Sequence, residues 1–160
     1  MNRRRIALAT VAAACVQGLA GCALPPVDAA RPGWNGRLSV RIDSDPPQSF
    51  SAGFELQGDA LQGRLALFSP LGSTLAELLW APDSARLLSS GQDRTFQSLD
   101  ALTRDAVGTA LPVAALFAWL RGQPADFAPW QVSVEDRRAG RLQARRALPA
   151  PAVEMRLILD

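Results

Sequence analysis

GRLSVRI, residues 36 to 42, sets Leu38, Val40 and Ile42 against Arg37, Ser39 and Arg41. This period of two predicts a strand with one face in water. After a break at Asp43-Ser44-Asp45-Pro46-Pro47, QSFSAGFELQ (48 to 57) sets Phe50, Ala52, Phe54 and Leu56 against Ser49, Ser51, Gly53 and Glu55. GDALQGRLALF (58 to 68) continues from a Gly-Asp turn, with Leu61, Leu65 and Leu67 in phase. TLAELLWA (74 to 81) is apolar on both faces except at Glu77, which implies a strand covered on both sides. Pro82-Asp83 turns the chain into SARLLSS, and Gly91-Gln92-Asp93 turns it into RTFQS. Short turns between successive strands describe an antiparallel meander of five or six.

The period then changes. Ser98 is placed to cap LDALTRDAVG, whose Leu99, Leu102 and Ala106 share one side. Pro112 suits the first position of a second helix, VAALFAWLR, with Val113, Leu116, Phe117 and Leu120 at the i, i+3, i+4, i+7 spacing and a stop at Gly122. That stripe reads as amphipathic. Strands return with WQVSVED (130 to 136), a turn at Arg138-Ala139-Gly140, GRLQARRA (140 to 147) and AVEMRLILD (152 to 160). The expected class is therefore mainly β with helices (α+β), one sheet curling around two helices.

The first residues do not belong to this pattern. Asn2-Arg3-Arg4-Arg5 is a basic start, and Ile6 to Ala20 is an apolar run too short to span a bilayer comfortably. The run ends in Leu19-Ala20-Gly21-Cys22, the order of a bacterial lipobox, in which the cysteine thiol takes a diacylglycerol. We expect residues 1–21 to be a cleaved lipoprotein signal peptide, Cys22 the lipid attachment site, 22–33 a lipidated cysteine and Pro/Ala-rich tether, and 34–160 one domain. The mature chain would hold a single cysteine and thus no internal disulfide. No aspartate follows Cys22, and an inner-membrane retention mark is thus missing; the expected location is the outer membrane.

Charge narrows the partners. All seventeen basic residues are Arg, and with three in the signal peptide, fourteen face fifteen acidic residues in the mature chain, a net charge of −1. That balance, with no aromatic-interleaved basic patch, gives nucleic-acid binding no support. Arg137-Arg138 and Arg145-Arg146 read as a solvated face, with a phospholipid-headgroup contact as the alternative. The chain has no His, Tyr or Lys, which removes Ser-His-Asp and Cys-His triads, His-bearing zinc and haem sites, Ser-Lys dyads and P-loops. Asp43 and Asp45 sit in an obvious turn. Glu77 is expected to face outward or pair with an arginine, the alternative being an acid with a shifted pKa. No enzyme, metal or cofactor is expected. What the inventory leaves is apolar surface suited to an apolar ligand.

One turn is unusual. Ser69-Pro70-Leu71-Gly72 carries proline and glycine at ordinary turn positions, but Leu71 at its tip forgoes about 1.5 to 3 kcal/mol of burial. The surrounding LFSPLGSTLAELLW resembles the Pro-Leu-Gly-Ser-Thr segment of the LolB family of outer-membrane lipoprotein receptors. The lipobox, the Trp34-to-Ile42 start with Gly36, QSFSAGFELQG, and LPVAALFAWLRGQPAD with its Trp119-to-Pro124 stretch agree in order.

The resemblance implies an incomplete, strongly curved antiparallel β-barrel with an α-helical lid or plug, LolA/LolB-like. It implies a monomer that accepts acylated lipoprotein cargo from the periplasmic carrier LolA, shelters the acyl chains, and inserts them into the inner leaflet of the outer membrane. It implies a membrane-insertion loop at Pro70, Leu71 and Gly72, and an acyl-chain cavity drawn from Phe50, Phe54, Leu65, Leu67, Val113, Leu116, Phe117 and Leu120. One departure stands out: the family commonly ends with two strands after its Pro-rich segment, whereas LPAPAVEMRLILD has room for one. A merged last hairpin or a wider opening along that edge would follow. The competing expectation is a lipid-anchored scaffold of an envelope complex, with a sealed interior and a flat exposed apolar patch.

Overall fold

A computed structural model describes residues 33–123, 127–133 and 139–160. The signal peptide, the lipobox and nearly all of the tether lie outside the described residues, as do Arg137 and Arg138. Six strands follow in order, β1 (Gly33–Ile42), β2 (Gln48–Gly58), β3 (Gly63–Phe68), β4 (Thr74–Ala81), β5 (Ser84–Ser89) and β6 (Gln92–Phe96). Helices α1 (Leu99–Val107) and α2 (Val113–Leu120) come next, then β7 (Trp130–Ser133), β8 (Arg141–Arg146) and β9 (Val153–Leu159). All nine described strands form one antiparallel sheet in the order β6-β5-β4-β3-β2-β1-β9-β8-β7. The sheet curves without closing, leaving β6 and β7 as its edges. This is the open barrel with helices that the alternation and the resemblance led us to expect.

The C-terminal departure resolves into a specific arrangement. One strand, β9, follows the Pro-rich segment, and it lies between β1 and β8, with Val40 opposite Met155 and Ala144 opposite Met155 on the other side. The chain's last strand thus joins the two halves of the sheet and is not an edge.

Period two decides which face of each strand is dry. Leu38, Val40 and Ile42 of β1 are buried, as are Ala52, Phe54 and Leu56 of β2, while their alternating neighbours reach water. Three expectations are corrected. Leu61 is not a strand residue: Asp59 Oδ1 accepts from the backbone N–H of Leu61 at 2.8 Å and of Gln62 at 2.9 Å, which builds a tight turn and leaves Leu61 69% exposed. β4 is sealed on one face only, through Leu78 and Trp80, whereas Glu77 and Leu79 on the other face are half-buried. Glu77 is paired there with Arg64 of β3. Arg146 is no surface residue. It falls in phase with Leu142 and Ala144 and faces inward at 9% exposure, while Arg145 is exposed.

The helices fill the concave side. The Ser98 hydroxyl accepts from the Ala101 N–H at 3.1 Å and so caps α1, and Gly108 ends it with φ 76°. α2 begins after Pro112, one residue later than its sequence suggests, and Gly122 turns away from it with φ 80°. Its burial is not a stripe: Ala115 and Trp119 are buried along with Val113, Leu116, Phe117 and Leu120. A helix apolar nearly all round is a plug, and only the small side chains Ala114 and Ala118 meet water, on one narrow strip. Phe117 meets Trp34 edge-on at 5.7 Å and Trp80 at 6.1 Å, locking the plug to β1 and β4.

Two glycines make close approaches. Gly36 has φ 153°, and a Cβ there would meet the Ile158 carbonyl of β9. At Gly63 a Cβ would meet the Trp80 ring and the Gln57 carbonyl.

Candidate functional site: an apolar cavity beside an exposed leucine

Between the concave sheet and the helices lies a cavity of about 410 Å³, in the range of small-ligand pockets. Its floor is Leu38 and Val40 of β1, Leu65 and Leu67 of β3, Leu78 and Leu87; its roof is Thr103, Ala106, Leu111, Val113 and Leu116. Phe50 and Met155 close the sides, and Leu75 and Ala76 line it next to the β3–β4 hairpin. Polar groups are few. Thr103 is committed, since its hydroxyl accepts from the Leu111 N–H at 3.1 Å and lies 3.3 Å from the Asp100 carbonyl, to which it donates. Arg94 of β6 pairs with Asp105 of α1 at 2.7 Å and lies over the Phe96 ring at 5.4 Å. That ion pair joins the edge strand to the helix at the cavity wall. Among the described residues no cluster of His, Cys, Asp or Glu is arranged to hold a metal.

Five of the eight cavity candidates, Phe50, Leu65, Leu67, Val113 and Leu116, line this space. Phe54, Phe117 and Leu120 do not; they are buried in the core around it. The alternation already marked Leu38 and Val40 as inward, so these two lining residues were within reach of the pattern. Arg94, Met155 and Leu87 carried no such signal, because strand order and helix placement bring them to the wall.

Pro70, Leu71 and Gly72 form the tip of the hairpin beside the cavity. The Gly72 N–H donates to the Ser69 carbonyl at 2.9 Å and the Ser69 N–H to the Ser73 carbonyl at 2.8 Å, closing a five-residue loop. The left-handed backbone at the end of this loop falls to Gly72, φ 83°, which needs no Cβ there. The register shifts between Leu67 and Phe68, where the strand gives way to the loop. Leu71 is left 94% exposed. Among the described residues no helix is long and apolar enough to cross a membrane.

An open antiparallel half-barrel, plugged by an apolar helix and hollow beside a leucine-tipped hairpin, defines a class of small β proteins with an apolar interior cavity. Comparison with known proteins narrows the class. The model of the family described as "Outer membrane lipoprotein LolB" matches residues 33–147. The chain belongs to the LolB family. It is 36% identical over 131 residues to the outer-membrane lipoprotein LolB of Thiobacillus denitrificans, covering 76% of this chain and 67% of that one. It is 34% identical over 128 residues to that of Cellvibrio japonicus, covering 70% and 62%. With that of Chromobacterium violaceum it shares 34% over 91 residues, 57% and 49% of the two chains. The match thus spans about half to two-thirds of these relatives' length.

Proposed function

We propose that this protein is a lipid-anchored receptor that takes acylated lipoproteins from the periplasmic carrier LolA and passes them into the inner leaflet of the outer membrane. The observation that carries the reading is the apolar cavity of about 410 Å³ opening beside the Leu71 hairpin. An acyl chain in that cavity is out of water, at a gain of about 0.8 kcal/mol per buried methylene. The wall is mainly apolar, with Ser89, Ser90, Arg94 and Thr103 its polar groups, so affinity for an acyl chain scales chiefly with chain length. Transfer then runs downhill if the cavity binds acyl chains better than the carrier and less well than the bilayer. Cys22 is the lipid attachment site. No cofactor takes part. A flat apolar patch over a sealed interior would favour the scaffold reading, and the cavity speaks against it.

The test is a carrier-to-receptor transfer assay. The chain from Cys22 onward, carrying Cys22→Ala, is mixed with carrier loaded with an acylated lipoprotein. Cargo moving onto this chain supports the reading; cargo staying on the carrier sinks it.

A further inference from the structure

The convex face of the sheet carries a charge pattern that acyl transfer does not explain. Across β1, β9 and β8 the register sets three rows side by side: Arg37, Ile158 and Arg141; Ser39, Arg156 and Gln143; Arg41, Glu154 and Arg145. Nine adjacent outward positions thus hold five arginines and one acid, on a mature chain whose net charge is −1. All five arginines are exposed. Arg41 gives its Nε to Asp43 at 3.2 Å, and Glu154 takes Arg156 Nε at 2.7 Å and Gln143 Nε2 at 2.7 Å. Among the described residues Arg37, Arg141 and Arg145 carry no ion pair.

A groove of about 240 Å³ runs through this patch, bordered by Arg41, Arg156 and Glu154 and by the hydroxyls of Ser39, Ser49 and Ser51. The register pairs Ser39 with Ser51 and Arg41 with Ser49, so two guanidinium groups and three hydroxyls border one concave strip. Guanidinium forks with neutral hydroxyl donors form a donor set for a phosphate diester.

We propose that this groove is a headgroup site, with which the convex face seats itself on the anionic phospholipids of the bilayer. Two features place a bilayer there. Gly53 of β2 is opposite Phe68, so the hairpin at 69–73 leaves the sheet on the side where Ser51 and Ser49 follow; groove and Leu71 lie toward the same end of the barrel. An anchor at Cys22 is compatible with this: eleven chain steps to Gly33 can span at most about 36 to 40 Å, more than the length of β1 at about 3.3 Å per residue. The face does not depend on cargo. Its placement rests on the reading of Leu71 and Cys22 given above, whereas vesicle binding by the groove is measured without cargo or carrier.

The test is flotation of the Cys22→Ala chain, residues 22 onward, with vesicles of phosphatidylethanolamine with or without phosphatidylglycerol. Every described strand and helix lies beyond this cut. Binding is expected to rise with phosphatidylglycerol and to fall about tenfold or more in Arg41→Gln/Arg156→Gln, at roughly fivefold per arginine near a membrane surface. Arg41→Lys/Arg156→Lys restores most of it, and Ser39→Ala/Ser49→Ala/Ser51→Ala loses severalfold with the charge unchanged. Three results would overturn the proposal: an equal loss from Arg104→Gln/Arg121→Gln, which would mean diffuse charge; displacement by millimolar inorganic phosphate, which would mean a free-phosphate site; or groove variants that float normally but no longer take cargo from the carrier, which would mean a protein-docking face. Circular dichroism confirms that each variant is folded.

Discussion

Arg146, on β8, donates from Nη2 to the Thr109 hydroxyl at 3.0 Å, although 37 residues separate them and both are buried. The same Nη2 lies 3.2 Å from the Pro151 carbonyl, and the guanidinium lies over the Trp130 ring at 5.6 Å. One side chain therefore ties the loop between the helices to the C-terminal strands. Its Nε has no partner among the described residues, so the tie is incomplete and its desolvation is only partly compensated.

Arg146→Ala is expected to cost about 2 to 4 kcal/mol, since it leaves Thr109 buried without its donor and opens space against Trp130. Arg146→Met should cost less, because it removes the buried charge yet keeps the packing. Urea unfolding of both variants checks this, and a loss under about 0.5 kcal/mol for Arg146→Ala would refute the tie.

Arg146 also marks the limit of what the sequence could reveal. The Arg145-Arg146 pair looks like a solvated run if charge is read by itself, but the alternation of β8 puts Arg146 on the face of Leu142 and Ala144. Period outranked charge. Leu61 failed in the opposite direction: it keeps step with Leu65 and Leu67, yet the side chain of Asp59 captures two backbone N–H groups and bends the chain before the strand begins. The strands, the Ser98 cap and the exposed tip at Leu71 depend on neighbours along the chain and were legible. The cavity wall depends on which strands meet across the barrel. That is why Phe50 and Leu65 could be proposed from one face, while Phe54 of the same face and Phe117 of the same helix proved to lie in the core.

Gly36→Ala should destabilise strongly, by about 2 kcal/mol or more, because the new Cβ meets the Ile158 carbonyl at the β1–β9 junction and the backbone there cannot move without breaking the ladder. Gly91 has a similarly unusual φ of 75°, but a Cβ there meets nothing within 4 Å. Gly91→Ala is therefore expected to cost only about 1 to 2 kcal/mol, the backbone term by itself. Thermal unfolding of the pair separates crowding from backbone strain; equal losses would mean that the junction relaxes.

The cavity can be filled without touching its supports. Ala76 is half-buried on the cavity wall, so Ala76→Phe sends a ring into empty space. We expect stability within about 1 kcal/mol of the parent and at least a tenfold loss in affinity for a fluorescent fatty-acid probe. Phe117→Ala should do the reverse in kind: it costs about 3 to 5 kcal/mol by undermining the contacts with Trp34 and Trp80. Probe binding that is unchanged in Ala76→Phe would show that the acyl chain lies elsewhere.

Leu71 makes the sharpest prediction because it can be changed without cost to the fold. At 94% exposure it contributes nothing to the core, so Leu71→Ala and Leu71→Glu should unfold within about 0.5 kcal/mol of the parent. Their consequences are expected only where a bilayer is involved. A leucine at the headgroup boundary gains about 1.5 to 3 kcal/mol from burial, whereas a carboxylate there must be desolvated or held out. Uptake of cargo from the carrier should survive both substitutions, and release into liposomes should fall modestly in Leu71→Ala and almost completely in Leu71→Glu. Leu71→Trp, which keeps an apolar wedge suited to the interface, should release normally. If all three variants release cargo at the parental rate, the hairpin is a turn that merely tolerates its leucine, and the passage from cavity to membrane must run along another edge of the barrel.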